Sequence, residues 1–292
     1  SQLIMGKSIF LHIGTQRTGT TVLQKHAFHK IEKHLVFSKN AYESSVTMPP
    51  THSLQANCYE DRSKILTSIL IPNAIKSASN RPDDSINKLN TALEVILKNH
   101  GNNSILISSE TLSETYASLN AYSSHHNGQD TYFPIYSVCE ALKKIDVIPM
   151  IIVCLRESIP WLRSKYTRTL SQRRSIQQRD LSPSEYIEKQ SILESSHPGT
   201  SALTPAMHSE FIKQLQKHAF VKAFGFKELL ASKDIFSLMG LQGEKRYAFR
   251  NFPRENKPPF TNEQEHMIEI EIAQALKQYG FYDQIIGGQM FE

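Results

Sequence analysis

The chain has 292 residues, enough to bury a sizeable core as one α/β domain, with two small domains as the alternative. Its 39% hydrophobic and 21% charged residues are those of an ordinary soluble globular protein, and a net charge of +5 suits an anionic ligand without demanding nucleic acid. The three cysteines (Cys58, Cys139 and Cys154) are scattered and form no C-x-x-C pair, so they indicate neither a disulfide framework nor a zinc site and read as reduced and structural. No apolar run approaches the ~18 residues of a membrane span, and residues 1–7 lack the basic and apolar regions of a secretion signal; a cytoplasmic protein is the expectation.

In chain order, Ser8–Ile13 is a short apolar run that stops at Gly14 and reads as a buried strand. Residues 20–31 have helical character, with Val22, Leu23, Ala27, Phe28 and Ile31 on one apolar face. Residues 40–60 are polar and contain proline, a loop. Helices follow at about 61–79 and 84–99, the second closed by His100-Gly101. Ser104–Ser108 is a second strand and leads into Ser109-Glu110. A polar loop spans 120–133 and a helix 134–144. Residues 147–155 form the third strand, and the next helix begins at Ser158-Ile-Pro160-Trp161, with Ser158 as cap and Pro160 in the first turn. Ser182-Pro-Ser-Glu185 is a capping box, 195–205 a loop, and 219–226 a fourth strand. Thr261-Asn-Glu-Gln264 is another capping box, opening a helix that runs to Tyr279 and stops at Gly280. Strands alternating with helices predict an α/β fold with a mainly parallel central sheet covered on both faces.

The sharpest local signal is Gly14-Thr15-Gln16-Arg17-Thr18-Gly19-Thr20-Thr21, between a strand and a helix. Glycines let a backbone turn tightly and approach a ligand, and the N–H groups and dipole of a helix start attract an anion. The G-x-x-x-x-G spacing is that of a nucleotide-hydrolase P-loop, but Thr20 stands where that motif needs lysine, and the cation is Arg17. The third strand runs into Arg156, a cation where magnesium chemistry favours an acid. Such a loop suits an anionic nucleotide and is not built for metal–triphosphate chemistry; no metal is expected.

Ser164 follows Arg156 by eight residues on the next helix. A strand-end arginine and a helix serine can converge on one phosphate, the first through a charged fork and the second through its hydroxyl. On these residues the sequence resembles the PAPS-dependent sulfotransferases (PAPS is 3′-phosphoadenosine-5′-phosphosulfate). Arg17-Thr18-Gly19-Thr20-Thr21 is similar to the core of their 5′-phosphosulfate loop, and Arg156…Ser164 to their 3′-phosphate element. Residues 221–230 resemble the strand and turn that follow. The likeness covers about residues 8–30, 104–112, 150–170 and 220–242. It departs from the family in two places. Arg17 replaces the usual loop lysine, and the C-terminal Arg-Lys-Gly loop is absent, with the segment holding Arg250 and Arg254 as its stand-in. These departures point to a bacterial or carbohydrate-type member.

The resemblance implies a P-loop-type three-layer αβα domain over 1–292, with insertions at 40–100 and 170–215 shaping the acceptor side. It implies sulfuryl transfer from PAPS to an acceptor hydroxyl of a carbohydrate or lipid-linked glycan, with PAP (3′,5′-diphosphoadenosine) as product. Gly14, Thr15, Gln16, Arg17, Thr18, Gly19, Thr20, Thr21, Arg156, Ser164, Phe226, Arg250 and Arg254 would bind the donor. Arg17 would also stabilise the leaving phosphate. Glu110, just past the second strand, is the candidate base, because a carboxylate in a partly dry cleft can accept a proton. His52, in the polar loop, and His12 are its rivals, though His12 reads better as a core histidine. Arg163, Lys165, Arg168, Arg173, Arg174 and Arg179 make a basic stretch that would either attract an acidic glycan or be a solvated helix face. Trp161 and Tyr166 would either stack on sugar rings or pack near the sheet. A small-molecule P-loop kinase and a non-catalytic nucleotide-binding protein are the alternatives.

Overall fold

The computed structural model describes residues 8–15, 17–38, 59–78, 84–99, 104–114, 133–196, 203, 208–254 and 259–287. The expected loops at 40–60 and 120–133, the His100-Gly101 cap, Cys58, Gln16 and His52 lie wholly or almost wholly outside the described residues.

Five parallel strands form one sheet: β1 (Ile9–Gly14), β2 (His34–Ser38), β3 (Ser104–Ser108), β4 (Met150–Leu155) and β5 (Phe220–Gly225). Their order is β2-β3-β1-β4-β5, with Phe10 opposite Leu106 on one side and opposite Met150 on the other. Sequence periodicity leads to four strands; β2 is the addition. It has five residues at the sheet edge and follows a helix after only Ile31, Glu32 and Lys33, with no glycine or proline to mark its start.

The β1–loop–helix unit begins as expected. Its helix, α1, is irregular: Thr20–Val22 runs on into a wide π turn, Leu23–Ala27, and a 3-10 turn, Phe28–Lys30. The stretches Tyr59–Ile65, Leu66–Leu70 and Ile71–Ala78 run together as α2, followed by α3 (Ser85–Asn99), α4 (Pro134–Lys143), α5 (Ser158–Ser175), α6 (Pro183–Ser196) and α7 (His208–Gln216). After β5 come α8 (Phe226–Ala231), α9 (Ile235–Leu238), α10 (Asn262–Gln278) and α11 (Tyr282–Gly287).

Alternation along the strands feeds two cores. Ile9, Leu11, Ile13, Ile105, Ile107, Ile151 and Val153 face α2, α3, α4 and α7. Phe10, Val36, Leu106, Ile152, Cys154 and Phe224 face α1, α8 and α9. The result is an all-parallel sheet between two helical layers. Residues 59–78 and 85–99 supply part of one layer outright. A third cluster joins α5, α6, α10 and α11 around Trp161, Leu162, Tyr166, Tyr186, Ile272 and Leu276. Trp161 and Tyr166 are therefore packed inside, and the Tyr166 hydroxyl donates to the Leu181 carbonyl at 2.7 Å; neither ring is a platform for sugars.

Two expected boundaries move. β4 begins at Met150 because Val147 N–H still closes α4 on the Leu142 carbonyl, and Pro149 has no N–H to give a ladder. The cap of α5 is Glu157, not Ser158. Ser158 is buried in the first turn, with its hydroxyl 3.5 Å from the Ile285 carbonyl. Both capping boxes form: Glu185 N–H donates to Ser182 Oγ at 3.1 Å, and Gln264 N–H to Thr261 Oγ1 at 3.2 Å. Cys139 and Cys154 are free and buried; burial pushes the Cys139 thiol up to about 12 and that of Cys154 higher still. Among the described residues no helix is long and apolar enough to cross a membrane.

Candidate functional site

Among the described residues of the loop between β1 and α1, φ is positive at Gly14 (88°), Arg17 (64°) and Gly19 (81°). Two fall on glycine, which accepts that region freely. Arg17 does not, and a left-handed arginine costs about 1–2 kcal/mol. Strain of this kind is held only where surrounding contacts over-determine it, and those contacts are visible here. Thr15 donates to the Cys154 carbonyl through its N–H at 3.0 Å and through its hydroxyl at 3.2 Å. Thr18 Oγ1 turns back to the Thr15 carbonyl at 2.6 Å, and Thr20 Oγ1 lies 3.5 Å from the same oxygen. Thr15, Thr18 and Thr20 are buried. The Thr15 and Thr18 hydroxyls thus hold the loop in shape, while Thr20 also hydrogen-bonds to Glu110. Thr21 is half-buried.

Arg17 and the β4–α5 junction meet. Arg17 Nε donates to Ser164 Oγ at 2.9 Å, and Arg156 Nη1 donates to the Arg17 carbonyl at 3.3 Å. The Arg156 guanidinium also lies over the Phe226 ring, 4.9 Å from its centroid. Burial, then the neighbouring Arg163 and Arg17, lower Arg156 to about 10, with Glu265 and Glu269 opposing; it is still a cation at neutral pH. Gly19 touches the C-terminal side of the fold. A Cβ placed on it would lie 2.9 Å from Phe249 Cζ, so the 3-10 turn Phe249–Asn251 abuts the loop and brings Arg250 with it. Arg250 and Arg254 are both exposed.

Glu110 starts a 3-10 turn, Glu110–Ser113, directly after β3. Burial raises its pKa; a hydrogen bond from Thr20 and the charges of Arg168, Lys165 and Arg17 pull the other way. Lys165 is its counterpart on α5. Burial, with Arg168 and Arg17, lowers it to about 8, while Glu114 and Glu110 raise it.

No protein-family model matches this chain, and no curated protein matches it in sequence. β1 and β3 are neighbours, yet α1 leaves toward one face of the sheet and α4 covers the other. The crevice outside the carboxyl ends of such strands is where open α/β sheets bind ligands. The Gly14–Thr21 loop and Glu110 both lie there, and Arg156 joins them from the adjacent end of β4. The arrangement offers an anion two guanidiniums, an ammonium and a hydroxyl, beside a carboxylate able to take a proton.

The basic stretch is divided by its partners. Arg163 pairs with Glu269 at 2.6 Å and Glu265 at 3.4 Å, Arg174 with Asp180 at 2.7 Å, and Arg179 with Glu185 at 2.9 Å. Arg173 Nε donates to the Arg179 carbonyl at 2.6 Å. Lys165 and Arg168 both interact with Glu110 and Arg17. Sequence reasoning grouped Lys165 with a helix surface and passed over Glu114 and Phe249. One available signal was spacing, since Trp161, Lys165 and Arg168 share a helix face at i, i+4 and i+7.

His12 is a core residue. It is buried, with Nδ1 2.8 Å from Ser108 Oγ and its ring edge-on to Phe28. Gln24 Nε2 donates to the same Ser108 oxygen at 2.9 Å. Burial lowers His12 to about 4, so it stays neutral at physiological pH. Among the described residues no group of three or more His, Cys, Asp or Glu side chains is arranged to hold a metal ion.

Proposed function

We propose that this chain transfers the sulfuryl group of PAPS to an acceptor hydroxyl, through a P-loop-type cradle at Gly14–Thr21. The observation that carries the reading is the junction of Arg17, Arg156 and Ser164, from two segments about 140 residues apart, held by hydrogen bonds of 2.9 and 3.3 Å. A donor with phosphates at both ends of a nucleoside needs two linked anion sites, and a loop arginine joined to a strand-end arginine and a helix serine suits that need. Phe226, under the Arg156 guanidinium, suits a nucleobase beside the second site. Arg250 and Arg254 are close in sequence to the Phe249 contact and are candidates for the 3′-phosphate.

In the transfer itself, the acceptor oxygen forms a bond to sulfur as the bond from sulfur to the 5′-phosphate oxygen breaks. The electron pair leaves with that phosphate, where Arg17 offsets the growing charge. Glu110 takes the acceptor proton, and its raised pKa makes it a stronger base than an exposed carboxylate. A carbohydrate or lipid-linked glycan is the acceptor class that the family resemblance favours, in the cytoplasm.

A thermal-shift comparison tests the donor. PAP at about 100 times its dissociation constant stabilises a specific binder by about 2.7 kcal/mol. PAP should therefore raise the melting temperature, and ATP with magnesium should do so less. Stabilisation by ATP with magnesium but not by PAP overturns the reading in favour of phosphoryl transfer. Transfer of label from PAPS then separates an enzyme from a binder.

A further inference from the structure

We propose that Gln24 is a positioning residue for the base: its side chain ties the end of β3, and with it Glu110, to the helix that opens the phosphate cradle. The role rests on the donor and base reading above. Gln24 is buried in the wide π turn of α1, four residues after Thr20. A buried side-chain amide is stable only when its polar atoms are paired. Gln24 Nε2 donates to Ser108 Oγ at 2.9 Å and lies 3.3 Å from the Ser108 carbonyl oxygen. From the other side, His12 Nδ1 lies 2.8 Å from the same Ser108 hydroxyl. His12 and Ser108 are buried as well. Ser108 is thus held at once by β1 and α1, the elements that flank the Gly14–Thr21 loop.

Ser108 ends β3, and Glu110 starts the turn that follows. Between them, Ser109 N–H donates to the His12 carbonyl at 3.0 Å. Beyond them, Leu112 N–H closes on the Ser109 carbonyl at 3.3 Å, and the Ser113 hydroxyl donates to the Glu110 carbonyl at 2.9 Å. The backbone of Glu110 therefore leaves a strand end pinned by His12 and Gln24 and enters a closed turn. Its carboxyl meets the Thr20 hydroxyl. Residues four apart are neighbours on a helix, so α1 grips this corner twice, with Thr20 at the carboxyl and Gln24 at the strand end. A π turn re-aims the side chains it contains, and such turns are frequent at functional sites. A base has to meet the acceptor proton closely, and a misplacement of about 1 Å can cost about 10²-fold in rate. Without the Gln24 amide the corner keeps its β1 contacts but drifts from Thr20. Gln24 makes and breaks no bond in the transfer; it acts through Glu110.

Gln24→Met removes the amide and keeps the length and volume of the side chain. Calorimetric titration with PAP should give an affinity within about twofold of the wild type, because the cradle itself is untouched. The Glu110 carboxyl can be followed by carbon NMR on glutamate-labelled protein and assigned by its loss in Glu110→Gln. In Gln24→Met it should titrate higher by about one pH unit, the worth of one hydrogen bond to the ionised form. The charges around that carboxyl, Arg17 from the loop and Lys165 and Arg168 from α5, are unchanged by the substitution. Transfer from PAPS to water, which needs no knowledge of the acceptor, should slow about tenfold, and less than about twofold further in a Glu110→Gln background. Ser108→Ala removes the accepting hydroxyl alone and should reproduce the upward titration, so the test does not hang on the folding of one variant. If Glu110 titrates in both variants as in the wild type while PAP binds normally, Gln24 is a core amide only, and the positioning role is overturned with the donor reading intact. Equal slowing with and without Glu110 overturns it too. If the wild type does not bind PAP, the donor reading falls and this role with it.

Discussion

Replacing Gly19 by alanine adds one methyl group at the mouth of α1, and its cost has two separable parts. The first is backbone. Gly19 has φ 81°, and an alanine held there pays about 1–2 kcal/mol. The second is steric. The new Cβ would lie 2.9 Å from Phe249 Cζ, 3.2 Å from Phe249 Cε2 and 3.3 Å from Leu229 Cδ2. The first distance is too short for any carbon pair, so something must move. Phe249 is half-buried and meets the methyl with the tip of its ring, so it can tilt; Leu229 is fully buried and cannot easily follow. Relief by the ring puts this part at about 1 kcal/mol, the low end of overpacking costs. The total is about 2–3 kcal/mol, or a fall in melting temperature of about 3–5 °C for a chain of this length. Chemical denaturation of Gly19→Ala, Phe249→Ala and the double variant measures both parts. The double variant should recover about 1 kcal/mol relative to the sum of the singles, because only the steric part involves the ring. A Gly19→Ala protein within about 0.5 kcal/mol of the wild type refutes the left-handed turn and the Phe249 contact together.

Arg17→Ala removes the guanidinium assigned to the leaving phosphate and should lower turnover with PAPS by about 10²–10³; near-normal turnover sinks that role. Glu110→Gln should abolish most of the activity and, more tellingly, remove its acid limb. Glu110 titrates above its ordinary value, so the wild-type rate should rise with pH through a midpoint above 4.5. An active Glu110→Gln enzyme with the same profile excludes it as the base. Acid should also destabilise the fold through His12 and His208, each buried and lowered from 6.5 to about 4. Between those values the unfolded chain binds more protons, so stability is full above pH 6.5 and falls as the pH drops toward 4. Each histidine contributes about 3 kcal/mol of that loss. His12→Gln should flatten the dependence over pH 4–6.5 in denaturant titrations; an unchanged slope shows that His12 is not buried as a neutral ring.

Much of the fold was legible because its signals are local. The break from an apolar run to Gly14, the Ser182–Glu185 and Thr261–Gln264 boxes and the bounds of Ser104–Ser108 all follow from hydrogen bonds and burial within a few residues. The edge strand His34–Ser38 has no such punctuation, and it is held by a ladder to β3, about 70 residues further on. A ladder of that span leaves no local trace. The candidate site divides in the same way. That Arg17, Arg156 and Ser164 belong to one site could be argued from motif spacing. Their contact could not, since it depends on β4 lying beside β1.

The amino-acid order alone therefore determined the strand–loop–helix cradle, the absence of a lysine at Thr20 and the alternation of strands and helices, because each is a property of neighbouring residues. Only the tertiary structure decided which hydroxyls turn inward, which arginines of the basic stretch are consumed by Glu265, Glu269, Asp180 and Glu185, and that Lys165 interacts with Glu110 and Arg17. Charge and hydrogen-bond partners are set by distance in space. In this chain packing brings together at the crevice groups that lie far apart along the backbone.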